Sequence, residues 1–200
     1  MDSTGLCLCG AGEWLLEKHG TRTRRSWRKL HIGIDADTGQ IVAAALTTKD
    51  IDDGPQVGPL LDQVVGPVVS FTADGTYDQE VVSAAVAVRH PDAAIIVPPR
   101  STAVPSATAK TEPTQRDRHL GSIAEHGRAA WQRASDYTTR ARAEAGAARF
   151  KRVIGDVRRT SRFGGLRSRT DRRRTTEVDV AVHALNRMLE LGRPISVRIA

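Results

Sequence analysis

The sequence predicts an α/β fold, and two observations carry that prediction. β-type runs dominate the first hundred residues, with helical patterns between them, and the rest of the chain is rich in helical periodicity. The clearest β-type signal is a pair of apolar runs at residues 28–34 and 41–46. Asp35, Asp37 and Gly39 lie between these runs in a segment typical of a tight turn. The pair therefore predicts an antiparallel hairpin.

The elements that follow alternate between helix and strand. Residues 56–65 place five apolar side chains at helical spacing, and residues 68–72 form a short apolar run before Asp74 and Gly75. Asp78 resembles the N-cap of a helix over residues 79–89, and a further strand is predicted at residues 94–97. These patterns predict the elements but leave the order of the strands open.

The second half of the chain predicts helices separated by two loops. Residues 98–115 are rich in Pro, Ser, Thr and Ala without any period, so they predict an exposed loop. Helical patterns follow at residues 116–131, 137–159 and 177–191, and residues 163–174 predict a basic loop. We interpret residues 1–200 as one domain that includes both loops.

Composition excludes several classes of protein. A hydrophobic fraction of 40% allows a sizeable core, although only 4% of the residues are aromatic. No apolar run approaches the ~20 residues that span a bilayer, and the first residues lack the order of a secretion signal. The sequence therefore predicts a cytoplasmic protein with no membrane partner.

Several conspicuous side chains are interpreted as interior groups. Two cysteines without a nearby histidine pair cannot complete a zinc site, and isolated tryptophans more often pack in a core than stack on bases. The residues predicted to be interior on these grounds or by their apolar surroundings are Cys7, Cys9, Trp14, Trp27, Trp131, His31 and His183.

The net charge of +7 is unevenly distributed along the chain. Residues 1–100 contain nine Lys and Arg against 13 Asp and Glu, whereas residues 101–200 contain 21 against ten. The segment from residue 140 to residue 174 holds 13 basic and three acidic residues. Such a density attracts polyanions in a salt-dependent manner, although a solvated helix face followed by a basic loop has the same composition.

The most specific local pattern is Y-x2-R-x3-E-x6-K, formed by Tyr137, Arg140, Glu144 and Lys151. At about 100° per residue, these four positions fall within about 60° of one another around a helix. An acid flanked by two cations and a phenol suits a phosphate backbone beside a metal ion. The alternatives are an exposed ion pair between Arg140 and Glu144, and core packing of the Tyr137 ring.

Five motifs in this order resemble those of bacterial insertion-sequence transposases of the DDE type, in the group named after insertion sequence five. They are D-S-T-G-L at residues 2–6, G-E-W at 12–14, W-R-K-L-H at 27–31, A-D-G-x-Y-D at 73–78, and the helix stripe. The resemblance covers almost the whole chain. Each motif alone is weak evidence, and their order makes the combination specific.

The resemblance implies a ribonuclease-H-like core, with a mixed central sheet, helices on both faces, and three acids brought together from two strands and a helix. The implied activity is magnesium-dependent DNA cleavage at insertion-sequence ends followed by strand transfer. Two Mg²⁺ ions neutralise charge on the attacking and leaving oxygens in such reactions. The implied partners are DNA, as terminal inverted repeats and target, and a second copy or a full-length transposase.

The same resemblance assigns roles to individual residues. The implied catalytic residues and magnesium ligands are Asp2, Asp74 and Glu144. The implied DNA contacts are Tyr137, Arg140 and Lys151. Asp35 is the rival of Asp2 as first carboxylate because it also ends an apolar strand, although turn chemistry explains it, and we favour Asp2.

The position of Asp2 leads to a further expectation. Only Met1 precedes it, where the family has most of a strand, so the first strand is predicted to be incomplete and the upstream DNA-binding region to be absent. The first expectation is a catalytic core whose activity truncation can remove, and the alternative is a non-catalytic DNA-binding remnant that acts as an inhibitor or is a pseudogene product. A metal-dependent nuclease unconnected with mobile DNA is a further alternative.

Overall fold

The computed structural model describes residues 1–8, 27–155 and 165–192. The strands in this part are β1 (Asp2–Leu8), β2 (Trp27–Ile34), β3 (Ile41–Thr48), β4 (Ser70–Thr72), β5 (Ala94–Ile96) and β6 (Gly165–Leu166). The helices are α1 (Val57–Leu61), α2 (Glu80–Arg89), α3 (Gln115–His126), α4 (Arg128–Ala134), α5 (Arg140–Gly155) and α6 (Asp171–Glu190). The predicted α/β class is confirmed.

The strands form two sheets. The larger sheet has the order β3-β2-β1-β6, in which β1 pairs antiparallel with β2, β2 antiparallel with β3, and β1 parallel with β6. It is therefore a mixed sheet, as predicted. Strands β4 and β5 pair in parallel as a separate two-stranded sheet. Their separation from the larger sheet was not predicted, because strand order depends on contacts distant in the sequence.

The hairpin of β2 and β3 forms as predicted, and its turn uses the side chain of Asp35. The Asp35 carboxylate accepts hydrogen bonds from the backbone N–H of Asp37 at 2.9 Å and the hydroxyl of Thr38 at 2.7 Å. These bonds lower the pKa of Asp35. Gly39 closes the turn with a φ of 74°, which favours glycine.

One face of the larger sheet packs against α5 and α6. This first core consists of Leu6, Leu30, Ile32, Ile41, Ala147, Phe150, Leu166, Val178, Ala181 and Leu185. A Cβ atom at Gly146 would lie 2.0 Å from Cδ1 of Ile34, so α5 approaches β2 closely at this point. The position of α5 over the sheet is thus set by apolar packing.

A second core lies between α1, α2 and the two-stranded sheet. It consists of Val57, Leu61, Phe71, Ala73, Tyr77, Val82, Val86, Ala93 and Val97. Met1 packs against this core, and its amino group donates to the backbone carbonyl oxygen of Thr72 at 2.5 Å. This contact brings the start of β1 next to the end of β4. Strand β1 has seven residues and begins at Asp2.

Two predicted helices have different boundaries in the structure. The pattern over residues 116–131 is divided by Gly127, whose φ of 82° ends α3 and starts α4. The predicted helix over residues 137–159 begins at Arg140, because Asp136 is left-handed (φ 53°) and residues Tyr137–Thr139 form a 3₁₀ turn. Tyr137 therefore lies just before the helix that carries the other stripe residues.

The predicted basic loop at residues 163–174 is also corrected. Residues 165 and 166 form β6, and α6 begins at Asp171 because the Thr170 side chain caps the backbone N–H of Arg173. Residues 163 and 164 lie outside the described part. Among the residues that the structure describes, every helix is too short or too polar to span a lipid bilayer.

Predictions for individual interior residues had mixed outcomes. Cys7, Trp131 and His31 are buried, as predicted. Trp27 is 36% exposed and lies over Gly5, and His183 is exposed on α6, so those two predictions were wrong. His183 lies in an apolar pattern but at an exposed position of α6. Cys9 and Trp14 lie outside the described residues.

Candidate active site

Asp2 is the first residue of β1 and lies partly buried at the junction of the two sheets. Its carboxylate accepts a hydrogen bond from the backbone N–H of Ser3 at 2.9 Å. Burial raises the pKa of Asp2, against the Ser3 hydrogen bond and the positive charge of Arg140, and the charge of Asp74 adds to the increase. Burial also lowers the pKa of the Met1 amino group to about 6. The environment of Asp2 is thus a poorly solvated one.

Asp74 follows β4 and caps the 3₁₀ turn Gly75–Tyr77. One carboxylate oxygen accepts hydrogen bonds from the backbone N–H of Thr76 at 2.8 Å and from the hydroxyl of Thr76. A Cβ atom at Gly75 would lie 3.3 Å from the carbonyl oxygen of Pro98, so the turn also packs closely against a neighbouring segment. These contacts orient the second carboxylate oxygen of Asp74 toward Arg140, at 3.5 Å.

Arg140 joins two of the predicted acids. Its Nη1 atom lies 2.8 Å from Oε1 of Glu144 on the same helix, and Nη2 lies 3.5 Å from Oδ2 of Asp74. The guanidinium therefore bridges the acid that follows β4 and the acid on α5. Burial opposes the positive charge, but Tyr137 and the carboxylates of Glu144, Asp74 and Asp2 outweigh it and raise the pKa of Arg140. All three predicted acids thus act on one cation.

The other two stripe residues differ in their surroundings. The ring of Tyr137 packs against that of Trp131, with centroids 5.6 Å apart. Its pKa is raised, mainly by burial. Lys151 is exposed on α5, seven residues after Glu144 and hence about 10 Å farther along the helix axis. The ring of Tyr137 is half-buried beside Trp131, whereas Lys151 is exposed.

The acids have the chemistry that a divalent cation requires. Carboxylate oxygens are the preferred ligands of Mg²⁺, and the Arg140 guanidinium is the cation that these carboxylates hold in this structure. Asp2, Asp74 and Glu144 offer the oxygen ligands that such an ion takes, and all three act on the charge of Arg140. In this structure, residues 1–8, 27–155 and 165–192 contain no group of three acidic, histidine or cysteine side chains that could hold a metal ion together.

Exposed cations lie along α5 and α6. Helices α5 and α6 pack against each other, and the exposed basic residues on them are Arg142, Lys151, Arg152, Arg172, Arg173 and Arg187. At the start of α6, Asp171 pairs with Arg28 at 2.8 Å and with Arg174 at 2.7 Å. These pairs tie β2 to α6, while the exposed cations remain available to a polyanion.

Sequence reasoning missed the structural role of Asp78, which lies beside the site. Asp78 does not cap α2, whose N-cap is Gln79. Its carboxylate instead accepts hydrogen bonds from Arg116 Nε at 2.6 Å and from the backbone N–H of Arg100 at 2.9 Å. These bonds lower the pKa of Asp78 despite its burial. The only signal for this role in the sequence was Asp78 itself, the last residue of the A-D-G-x-Y-D motif.

The fold and the site together define a mixed α/β protein in which acids from β1, from the turn after β4 and from α5 act on one cationic side chain. The sequence matches the family model described as Transposase DDE domain over residues 1–188. The protein belongs to the transposase DDE domain family. No solved structure matches the chain.

Proposed function

We propose that this protein is the catalytic core of a DNA transposase of the insertion-sequence-five type. It cuts DNA strands at the ends of an insertion sequence and joins the freed 3′ hydroxyls to target DNA. The sheet with α5 and α6 over one face supports a ribonuclease-H-like core. The observation that carries the proposal is the bridge from Asp74 through Arg140 to Glu144, with Asp2 beside it.

Each residue of the site has a role in this proposal. Asp2, Asp74 and Glu144 hold the divalent cations, two Mg²⁺ ions in the expected case. When bound, such ions neutralise charge on the attacking and leaving oxygens. Arg140 exchanges its carboxylate partners for a DNA phosphate, which leaves the acids free to bind cations. Lys151 binds a phosphate farther along the strand, and Tyr137 supports Arg140 from the side.

The choice between Asp2 and Asp35 gives the first test. Asp2→Asn is expected to reduce strand cleavage on the order of 10³-fold, because a neutral amide is a poor cation ligand and several kcal/mol of charge stabilisation are lost. Asp35→Asn is the matched control and is expected to retain cleavage, since its carboxylate serves the hairpin turn. Cleavage of a duplex carrying terminal repeats is measured with Mg²⁺ and with a chelator.

A reversal of that pattern, with Asp35→Asn inactive and Asp2→Asn active, contradicts the assigned site. A scrambled duplex is included in the same assay. Equal cleavage of the scrambled and the repeat-bearing duplex indicates a general nuclease instead of a transposase.

Arg140→Gln tests the proposed exchange between acids and DNA. We expect weaker DNA binding and a plot of log K against log salt that is flatter by about 0.9, the slope lost with one phosphate contact. Arg118→Gln removes the same charge from an exposed position on α3 and is the control. Fluorescence anisotropy over a salt series gives both values. Equal changes in the two variants would mean that net charge alone governs binding.

A non-catalytic DNA-binding role is the second candidate function. It is favoured by the absence of a ready three-residue metal site among the described residues and by the exposed cations of α5 and α6. It predicts DNA binding that falls steeply with salt, no cleavage with any divalent cation, and inhibition of an active transposase. Undetectable Mg²⁺ binding by the purified chain supports this role.

A further inference from the structure

A buried polar cluster lies on the face of the larger sheet opposite α5. Ser3 and His31 are paired in the register of β1 and β2, so their side chains point to the same side. The imidazole of His31 is fully buried, with Nδ1 3.2 Å from Oδ1 of Asp53 and Nε2 2.9 Å from the hydroxyl of Thr47. This cluster therefore lies against β1, the strand that begins with Asp2, on the side away from α5.

Tyr77 closes the cluster from the side of the second core. Its ring is 2% exposed and meets Phe71 edge-on, with centroids 6.4 Å apart. The hydroxyl lies beside Ser3 and is subject to the negative charges of Asp53 and the predicted acids. Burial first, and these charges next, raise the pKa of Tyr77, so its proton is retained and the hydroxyl can serve as a donor.

The Tyr77 hydroxyl shares its lack of a well-formed hydrogen bond with Nδ1 of His31 and Oδ1 of Asp53 in the same cluster. It is buried and has no partner at full hydrogen-bond length and angle within the part of the chain that the structure describes, although the Ser3 side chain is near enough to act against the rise of its pKa. A buried hydroxyl without a partner is destabilising, and phenylalanine would fill the same ring volume without that cost. Stability alone therefore does not account for a tyrosine at this position.

The position of Tyr77 connects the two segments that carry Asp2 and Asp74. Tyr77 is the third residue after Asp74 and ends the 3₁₀ turn that Asp74 caps. Ser3 directly follows Asp2, and its backbone N–H donates to the Asp2 carboxylate. A contact between the hydroxyls of Tyr77 and Ser3 thus spans the two segments that carry the acids.

We propose that Tyr77 is a positioning residue for the cation site: through Ser3, its hydroxyl sets the spacing between Asp2 and Asp74. The hydrogen bond between the two hydroxyls closes when a divalent cation draws the carboxylates together. Residues behind the ligands of a metal commonly have this role, and their loss typically lowers metal affinity 10- to 100-fold. The inference rests on the proposed function, because it takes these acids to be the cation ligands.

Tyr77→Phe tests the inference with Mn²⁺ alone as the probe. The half-saturating Mn²⁺ concentration, from the rise of Tm with added metal, is expected to increase at least about tenfold. In metal-free buffer the variant is expected to match or exceed the wild-type Tm, by up to about 2–4 °C, because an unpaired buried hydroxyl has been removed. Phe71→Leu is the control: it disturbs the same core, lowers Tm, and leaves the Mn²⁺ requirement unchanged.

A double-mutant cycle with Ser3→Ala examines the contact itself. The backbone N–H that Asp2 accepts from is kept in this variant. Ser3→Ala is expected to raise the Mn²⁺ requirement as much as Tyr77→Phe does, and the double variant no further, because both remove one interaction. Additive effects of the two substitutions would overturn the proposed contact.

The outcomes separate this inference from the proposed function. If the wild-type chain binds Mn²⁺ and Tyr77→Phe binds it equally well, the positioning role is overturned while the cation site stands. If Tyr77→Phe loses affinity only together with a Tm decrease like that of Phe71→Leu, the role is structural and the inference is again overturned. If Mn²⁺ does not stabilise the wild-type chain at all, both the cation site and the inference fall.

Discussion

Glu144→Gln is expected to abolish strand cleavage, with a loss on the order of 10³-fold, while DNA binding is kept. The amide has the shape of the carboxylate but no charge, so it contributes little to neutralising a bound cation. A bound metal supplies several kcal/mol of transition-state stabilisation, and each 1.4 kcal/mol changes the rate about tenfold. DNA binding is retained because Arg140 loses its 2.8 Å partner and becomes freer to reach phosphate.

The stability of this variant is expected to change little. The Glu144 side chain is 53% exposed, and an exposed i,i+4 pair contributes only about 0.3–0.5 kcal/mol. Glu125→Gln, at an exposed acid on α3, is the matched control for charge. Strand cleavage, anisotropy-based DNA binding and thermal unfolding are measured on both variants. Wild-type cleavage by Glu144→Gln would remove Glu144 from the catalytic site.

Phe150→Ala is expected to have the largest effect on stability. The ring is fully buried where α5 meets the larger sheet, and truncation of a core Phe lowers the free energy of unfolding by about 3–5 kcal/mol. Because α5 also carries Arg140 and Glu144, looser packing of this helix is expected to reduce cleavage as well. Urea unfolding gives the free energy, and the cleavage assay at a temperature below the transition gives the second effect.

Two controls distinguish cavity formation from a general effect of substitution on this chain. Phe150→Leu keeps most of the apolar volume and is expected to be less destabilising than alanine. Val88→Ala changes an exposed side chain on α2 and is expected to stay within about 0.5 kcal/mol of wild type. A Phe150→Ala variant as stable as Val88→Ala would contradict the packing described for α5.

The arrangement of charges around Arg140 links DNA binding to cation binding. Arg140 is attracted by carboxylates from β1, from the turn after β4 and from its own helix. Any ligand that removes this guanidinium leaves like charges facing one another, which favours uptake of a cation. DNA binding and cation binding are therefore expected to support each other.

Local sequence determined those features that depend on short-range chemistry. Asp35, Asp37 and Gly39 predicted the β2–β3 turn, because turn hydrogen bonds and a positive φ require these residue types. The spacing of Arg140 and Glu144 predicted their pairing on one helix face, because an α-helix has a fixed number of residues per turn. The ordered motifs predicted a transposase of the DDE type, and the match over residues 1–188 shows the transposase DDE domain family.

Only the tertiary structure decided which groups meet across the chain. Asp74 and Arg140 are 66 positions apart and lie 3.5 Å from each other because α5 packs over the sheet through Phe150. The separation of β4 and β5 into their own sheet, the pairing of Asp78 with Arg116, and the buried hydroxyl of Tyr77 likewise follow from long-range packing. Periodicity predicts which side of an element is apolar. Which other element packs against that side depends on contacts between distant parts of the chain.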